Sequence, residues 1–289
     1  MNALFHDLAQ FPVFFYTCLT ILGLLIGSFL NVVILRLPPR MEWSWRQQAR
    51  EILEISEEPE PKPLGLVVES SRCPKCGHQL SWWENLPLIS YLMLLGKCKG
   101  CKTHISCQYP LVEAITAGLF LACGLAFGPS YYLLASLVFM ALLVAAAGID
   151  FRTTLLPDTL VFPMLWLGLA VAAIGLPGAV SSAQAIWGGL IGYLSLWSVY
   201  WLFKLLTGKE GMGHGDFKLL AALGAWCGAG SILSIVLIST LVGAAIGGLA
   251  LAIQGRDKAT PFPFGPYLAI AGLIEFFWRG GLLGFLTAP

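Results

Sequence analysis

The sequence has very little charge for its length. Its 17 Lys and Arg and 16 Asp and Glu make up 11% of 289 residues, whereas charged residues are roughly 25% of a typical soluble domain. This shortage excludes an ordinary soluble globular protein. Positive charge is not in excess either, because the formal net charge is +1 and nucleic-acid binding needs a concentrated basic face. We therefore expect no nucleic-acid partner.

Several sequence signals are also missing. The chain contains no HExxH motif, so an intramembrane zinc protease has no support. It has no serine in a GxSxG context, so a serine hydrolase has none either. The first residues lack a basic n-region, and no small-residue cleavage signal follows the first apolar run. We expect that run to be an uncleaved membrane span.

Long apolar runs, in contrast, are abundant. Hydrophobic residues are 57% of the chain, and a membrane-spanning helix uses about 20 of them. The runs do not alternate and are too long for barrel strands, so they predict an all-α polytopic membrane protein with about eight transmembrane helices and membrane lipid as its surroundings. The runs are 13–35, 111–127, 131–149, 159–176, 185–206, 217–228, 231–253 and 267–286.

The sixth run, 217–228, is the shortest. Its twelve residues rise only about 18 Å, less than the hydrocarbon core of about 30 Å. A re-entrant half-helix is therefore an alternative to a full crossing at this position.

Charged residues concentrate in one segment, since 17 of them lie between residues 38 and 108. We expect three parts: a first transmembrane helix (1–37), a polar, loop-like cytoplasmic module (38–110) and a seven-helix membrane body (111–289). With the module in the cytoplasm and all eight runs crossing, every Lys and Arg except Arg279 lies on the cytoplasmic side or at a cytoplasmic helix end. This bias is what the positive-inside rule requires. Both termini then face the outer side.

Four of the eight cysteines form two CxxC pairs. The pairs are separated by 21 residues, and each is followed or interrupted by a glycine, Gly77 and Gly100. Two such knuckles supply the four thiolates of a tetrahedral structural zinc site. Disulfides are disfavoured in a cytoplasmic module, and free or oxidisable thiols are the alternative. The predicted zinc ligands are Cys73, Cys76, Cys98 and Cys101.

Two aspartates lie at the ends of apolar runs. Asp150 closes the third run and Asp216 opens the sixth, both at the predicted cytoplasmic edge of the membrane. Ionisable groups in such positions are costly and indicate function. Two carboxylates at one depth can share a proton, so that one acts as an acid while the other activates water. This is the chemistry of an aspartic protease, and the glycines of GMGHGD would allow tight turning and close approach of an extended peptide.

Structural explanations compete with this hypothesis. Asp216 and Asp158 could each merely cap a helix. Glu113 could pair with a nearby cation. His214 could be a base or ligand, although a single histidine in a Gly-rich turn is more often solvated.

The sequence resembles the type IV prepilin peptidases, the bacterial leader peptidase and N-methyltransferase family of GxGD-type membrane aspartic proteases. The resemblance covers nearly the whole chain. It is carried by GSFLNVVILRLP, by CPKC and CKGC around WWENLPLISYLMLLGKC, by IDFRTTLLPD, and by GMGHGDFKLLAALGAW.

The resemblance implies a catalytic pair, Asp150 and Asp216, with Asp158 secondary. It also implies cleavage of the basic leader of type IV prepilins and type II secretion pseudopilins at the cytoplasmic face of the bacterial inner membrane, with both termini periplasmic. Methylation of the new N-terminal residue with S-adenosylmethionine would follow. The residues that bind this donor are not predicted, although Gly96 and the neighbouring ENLP stretch are candidates. An ion- or proton-coupled transporter and a non-catalytic zinc-bearing scaffold are the alternatives.

Overall fold

A computed structural model of the chain describes residues 5, 8, 10–55, 61–67, 69–209, 211–254 and 263–278, with the backbone alone for 247–254. Over these residues the protein is helical, without β-strands and with two isolated bridges. The all-α fold class is therefore confirmed. We number the helices α1 (Pro12–Ile52), α2 (Ile89–Met93), α3 (Gln108–Phe127), α4 (Tyr131–Thr153), α5 (Asp158–Ile174), α6 (Ser182–Thr207), α7 (His214–Cys227), α8 (Ile232–Gln254) and α9 (Gly265–Phe277).

Each predicted apolar run overlaps one of the helices α1 and α3–α9, and residues 279–286 of the last run lie outside the described residues. Among the described residues, five helical segments are long and apolar enough to cross a membrane, and α5 and α9 are shorter apolar helices. Helix α7 has 14 residues, which rise about 21 Å. A polytopic membrane protein is confirmed, whereas the exact number of crossings stays a prediction. Arg256, Lys258 and Arg279, on which the charge argument also depends, lie outside the described residues.

Helix α1 is longer than the sequence indicated. We expected the first helix to end near residue 37 and a loop-like module to follow, but α1 continues through Pro38 and Pro39 to Ile52. A proline inside a helix removes one backbone hydrogen bond and usually kinks or ends it. Here the residues beyond the prolines are rich in Arg, Glu and Gln, which are good helix formers.

Two arginines attach the returning chain to α1. The Arg36 guanidinium donates to the carbonyls of Gly65 and Glu69 at 2.7 and 3.0 Å. One turn later, Arg40 donates to the carbonyl of Leu64 at 3.2 Å. These bonds satisfy backbone acceptors that have no strand or helix partner, so they help to hold the segment before the cysteines against α1.

The chain forms two compact units, residues 1–129 and 130–289. In the first unit, α1 packs closely on α3 through small residues. A Cβ atom on Gly23 would lie 2.6 Å from the Ala117 Cα, and one on Gly27 would lie 2.7 Å from the Glu113 Cα. The GxxxG spacing on α1 therefore permits backbone contact between the two helices, as is common in membranes.

The second unit has the same kind of contact between α6 and α7. A Cβ on Gly188 would meet the Gly224 carbonyl oxygen, and one on Gly192 would come within 2.7 Å of the Leu220 carbonyl oxygen. Trp226 of α7 donates its indole N–H to the Met164 carbonyl at 2.9 Å. Helix α7, which begins with the GHGD sequence, is thus held in the interior of this unit.

Candidate active site and metal centre

Asp150 lies in the last turn of α4 and is buried, with 4% of its surface exposed. Its carboxylate oxygen Oδ2 accepts a hydrogen bond from the backbone N–H of Gly265 at 2.8 Å. Gly265 is the first residue of α9, and the N-terminal end of a helix carries a partial positive charge that favours an anion. The carboxylate of Asp150 is therefore fixed in place by a residue 115 positions later in the chain.

Asp216 lies in the first turn of α7 and is also buried, with 7% exposed. Its carboxylate accepts the backbone N–H of Gly213, the residue at the N-cap. The carboxylates of Asp216 and Asp150 are close enough to repel one another electrostatically. Helix capping and proximity to Asp150 are thus both present at Asp216, and the two interpretations do not exclude each other.

Two contacts hold the first turn of α7 beside the end of α4. A Cβ on Gly215 would lie 2.7 Å from the Leu156 Cβ, which belongs to the connection between α4 and α5. Lys218 donates to both carboxylate oxygens of Asp158 at 2.7 and 2.8 Å. We expected the glycines of GMGHGD to provide tight turning, but none of them has a positive φ. Gly215 instead allows the backbone of α7 to lie against the Leu156 side chain.

Asp158 and His214 differ from the two buried aspartates because both are exposed to solvent. The Asp158 side chain is half exposed, engages Lys218, and is the first residue of α5 after the N-cap Pro157. His214 is exposed, and its ring packs 4.9 Å from the ring of Tyr200 and 5.5 Å from that of Phe217. Asp158 is therefore tied to α7 by an ion pair, and His214 belongs to an aromatic cluster.

Gly265 is a residue of this site that the sequence did not predict. A Cβ at this position would lie 2.8 Å from Oδ2 and 3.1 Å from Cγ of Asp150, so only glycine fits without displacing the carboxylate. The available signal was a glycine between Phe264 and Pro266 at the start of the last apolar run. Nothing local in that sequence indicates that its partner is Asp150.

The four predicted zinc ligands come together in the first unit, and we call them the four-cysteine cluster. The Sγ atoms all lie within 4.8 Å of one another. Cys73 and Cys101 are 3.8 Å apart at sulfur, and Cys76 and Cys98 are 3.9 Å apart. A tetrahedral zinc with Zn–S bonds of about 2.3 Å has its sulfurs about 3.8 Å apart. The donor set therefore fits a tetrahedral metal ion.

The two knuckles are built alike from backbone hydrogen bonds. The Gly77 N–H donates to the Cys73 carbonyl and the Lys102 N–H to the Cys98 carbonyl, both at 3.0 Å. Gly77 and Lys102 have φ values of +71° and +57°, so a lysine occupies the left-handed position in the second knuckle. Gly100 lies against the first knuckle, since a Cβ there would lie 3.3 Å from the His78 Cβ.

A buried carboxylate supports the first knuckle. Glu84 accepts the backbone N–H of Ser81 at 2.8 Å and lies 3.2 Å from Nε2 of His78. The Ser81 N–H is the main reason why the pKa of Glu84 is lowered, and the contact with His78 adds to it. The His78 side chain also lies against Gly100 of the second knuckle. Glu84 therefore supports the contact between the two knuckles by holding His78.

Gly96, the candidate for donor binding, has a clear structural role. Its φ is +66°, its N–H donates to the Tyr91 carbonyl at 2.9 Å, and its carbonyl accepts the Ile105 N–H at 2.8 Å. The Tyr91 ring lies 3.0 Å from the position of a Cβ at residue 96. The turn before Cys98 therefore needs a glycine, whatever else binds there.

Comparison with known proteins identifies two family models in the chain. The model for the bacterial peptidase A24 N-terminal domain matches residues 21–127. The model for the type IV leader peptidase family matches residues 137–248. The first match contains the four-cysteine cluster, and the second contains both buried aspartates.

Curated relatives match along almost the whole chain. A protein of Xanthomonas campestris pv. campestris is 58% identical over 262 residues, which are 91% of this chain and 91% of the relative. A protein of Stutzerimonas stutzeri is 52% identical over 278 residues, covering 94% and 93%, and one of Pseudomonas aeruginosa is 51% identical over 271 residues, also covering 94% and 93%. All three are named prepilin leader peptidase/N-methyltransferase. No solved structure matches the chain.

Proposed function

Because the chain belongs to the type IV leader peptidase family, we propose that it is a membrane aspartic endopeptidase with a second, methylating activity. It cleaves the leader of type IV prepilins and pseudopilins and methylates the new N-terminal residue with S-adenosylmethionine. The observation that carries the peptidase assignment is the pair of buried carboxylates, Asp150 and Asp216, which lie at the ends of α4 and α7 within electrostatic range of one another.

The pair can hydrolyse a peptide bond by sharing one proton, since two like charges a few Å apart are not both ionised cheaply. The ionised carboxylate takes a proton from water, whose oxygen attacks the carbonyl carbon of the scissile bond. The protonated carboxyl donates to the carbonyl oxygen. Collapse of the tetrahedral intermediate breaks the C–N bond, the new amine takes a proton, and the leader leaves with a free carboxylate.

The chemistry is proposed to occur at the cytoplasmic face of the inner membrane. The dense Lys and Arg content between residues 38 and 108 favours a cytoplasmic location for that segment. The positive-inside rule also keeps a basic leader in the cytoplasm, so the scissile bond would lie at the cytoplasmic edge of the membrane. An ion-coupled transporter would more naturally place its acids near the membrane midplane, and the family membership does not favour it.

The four-cysteine cluster is proposed to hold one structural zinc ion. Its sulfur spacing fits tetrahedral coordination, as shown above, and zinc prefers four thiolates in closed structural sites. A metal there would join the two knuckles directly, since each contributes two of the four sulfurs. The zinc would stabilise the fold of the module and take no part in hydrolysis.

The peptidase proposal is tested by conservative substitution of each carboxylate. Asp150→Asn and Asp216→Asn each remove the acid or the base, so the cleavage rate should fall at least about 100-fold. The rate is followed by gel separation of prepilin and mature pilin, using protein reconstituted in lipid, with zinc content measured as a check on folding.

Asp158→Asn is the matched control, because this exposed residue pairs with Lys218. Exposed ion pairs contribute about 0.2–1 kcal/mol, so cleavage should stay within about fivefold of the wild-type rate. Substantial cleavage by either Asp150→Asn or Asp216→Asn would refute the assignment. Loss in Asp158→Asn with an active Asp150→Asn would transfer the catalytic role to Asp158.

A further inference from the structure

The contact between α1 and α3 contains an asparagine whose side chain is only half satisfied. Asn31 is 2% exposed, and its Nδ2 donates to the carbonyls of Gly27 and Tyr109 at 3.3 and 3.0 Å. Both partners are carbonyl oxygens, which accept hydrogen bonds, so the atom that contacts them is the amide nitrogen. The other end, Oδ1, is buried and accepts no hydrogen bond from the described residues. A buried acceptor without a donor is unfavourable and requires an explanation.

A buried carboxylate lies on the neighbouring turn of the same helix contact. Gly27 faces the backbone of Glu113, and Asn31, one turn after Gly27, bonds to Tyr109, one turn before Glu113. Glu113 is 7% exposed and accepts the Leu88 N–H at 2.8 Å and the Ser28 hydroxyl. Both described donors are uncharged, so the cation that the sequence suggested for Glu113 is not among them.

The third element at this place is strained. Leu88 has φ +58° and ψ −45°, a conformation that residues with a side chain rarely adopt. It directly follows the WWENLP stretch, and its N–H is the group that reaches Glu113. Backbone strain of this kind concentrates at functional sites, where surrounding contacts maintain it.

We propose that Asn31 and Glu113 bind the α-amino group of the mature pilin and form the acceptor site for methyl transfer. The inference rests on the N-methyltransferase function proposed above. A primary ammonium has only donors to offer, and the Asn31 Oδ1 and the Glu113 carboxylate are both acceptors. These residues lie in the part of the chain matched by the N-terminal family model, outside the 137–248 match that holds the two aspartates.

The two side chains have distinct roles in the step. The amine arrives protonated, and Glu113 takes one proton, which leaves a nitrogen lone pair. Asn31 accepts a remaining N–H and orients that lone pair. The nitrogen then attacks the methyl carbon of the sulfonium donor, so that an N–C bond forms while the C–S⁺ bond breaks. The electron pair of the broken bond remains on sulfur, and the products are a neutral thioether and an N-methylammonium.

The alternative is that these polar groups only hold α1 against α3, as hydrogen bonds between membrane helices often do. A purely structural role would affect folding, cleavage and methylation together. It would not create a preference for a free amine.

The test uses Glu113→Gln, which keeps the shape of the side chain, and Asn31→Leu. Thr116→Val is the matched control, since Thr116 is buried one turn from Glu113 and its hydroxyl is already bonded to the Val112 carbonyl at 2.7 Å. In one lipid-reconstituted preparation, mass spectrometry reports methylation and a gel reports cleavage. We expect methylation by Glu113→Gln to fall at least about 100-fold, with cleavage within about twofold of that of Thr116→Val.

Binding gives a second readout that does not depend on turnover. A mature-pilin peptide with a free N-terminus should bind the wild-type protein about tenfold or more tightly than its N-acetylated form, because a hydrogen-bonded ammonium is lost on acetylation. Both Glu113→Gln and Asn31→Leu should abolish that difference, and Thr116→Val should retain it. If Glu113→Gln does not accumulate in the membrane, Glu113→Asp, which shortens the carboxylate by one methylene, should lose methylation at least about tenfold.

Methylation by Glu113→Gln at the level of Thr116→Val, a retained preference for the free amine, or parallel loss of cleavage and methylation would each overturn the proposal. A wild-type protein that cleaves but does not methylate would instead refute the methyltransferase function on which the proposal rests.

Discussion

Replacing Gly265 with alanine tests how the peptidase site is held together. The Gly265 N–H donates to the Asp150 carboxylate at 2.8 Å, and a Cβ would lie 2.8 Å from the same oxygen and 3.3 Å from the Asp150 Cβ. Real Cβ contacts essentially never occur below 3.0 Å. Either α9 or the Asp150 side chain must therefore move, and the hydrogen bond is stretched or lost.

The expected loss of cleavage rate follows from the hydrogen bond between Gly265 and Asp150. A hydrogen bond to a charged group contributes about 1.5–3 kcal/mol, and about 1.4 kcal/mol corresponds to a factor of ten in rate. If the lost bond positions Asp150 for its role in the transition state, Gly265→Ala should reduce kcat/KM for leader cleavage roughly ten- to 150-fold. Methylation of an already cleaved pilin should be unaffected, because the proposed acceptor site lies in the other unit of the chain.

The assay measures initial rates of leader removal beside methylation of the mature peptide. Gly243→Ala is the control, since a Cβ there would meet the Tyr267 ring at an ordinary 3.6 Å and would not touch Asp150. Cleavage by Gly265→Ala at the rate of Gly243→Ala would refute the idea that this glycine positions Asp150. Equal loss of cleavage and methylation would indicate general unfolding.

Three further outcomes concern the cysteine module. Metal analysis should give about one zinc per chain, lost when any member of the four-cysteine cluster is replaced but retained in Cys107→Ser, whose sulfur contacts Tyr91. A Cys73→Ser, Cys76→Ser double variant should lose methylation more completely than cleavage. Structural zinc contributes on the order of 10 kcal/mol to the folding of its module, whereas membrane helices satisfy their own backbone hydrogen bonds. Equal loss of the two activities would mean that the module supports the peptidase directly. Lys102→Gly should relieve about 1 kcal/mol of left-handed backbone strain and slow zinc release to a chelator, and a faster release would contradict this reasoning.

Much of the architecture is determined by the sequence alone. Among the described residues the apolar runs locate the long helices to within a few residues, except at the ends of α1 and α9, because a chain in lipid must satisfy its backbone hydrogen bonds locally and helices do so. The cysteine cluster is predictable for a similar reason, since each CxxC knuckle is a local turn. Asp150 and Asp216 are conspicuous because charge is so rare in their surroundings, and the family resemblance assigns them a joint role.

The tertiary structure decided what each of these groups touches. Gly265 lies 115 residues from Asp150, and Asn31 bonds to a carbonyl 78 residues away, so no periodicity or spacing could connect them. The pairing depends on how helix faces meet, and in lipid that choice is made by small residues and a few hydrogen bonds that carry no local signal. The extension of α1 through Pro38 and Pro39 has both kinds of support, because good helix formers follow the prolines and Arg36 and Arg40 bind the returning chain along that helix. Local propensity therefore defines the helices and knuckles, whereas packing alone places a glycine N–H on Asp150 and leaves Oδ1 of Asn31 without a donor.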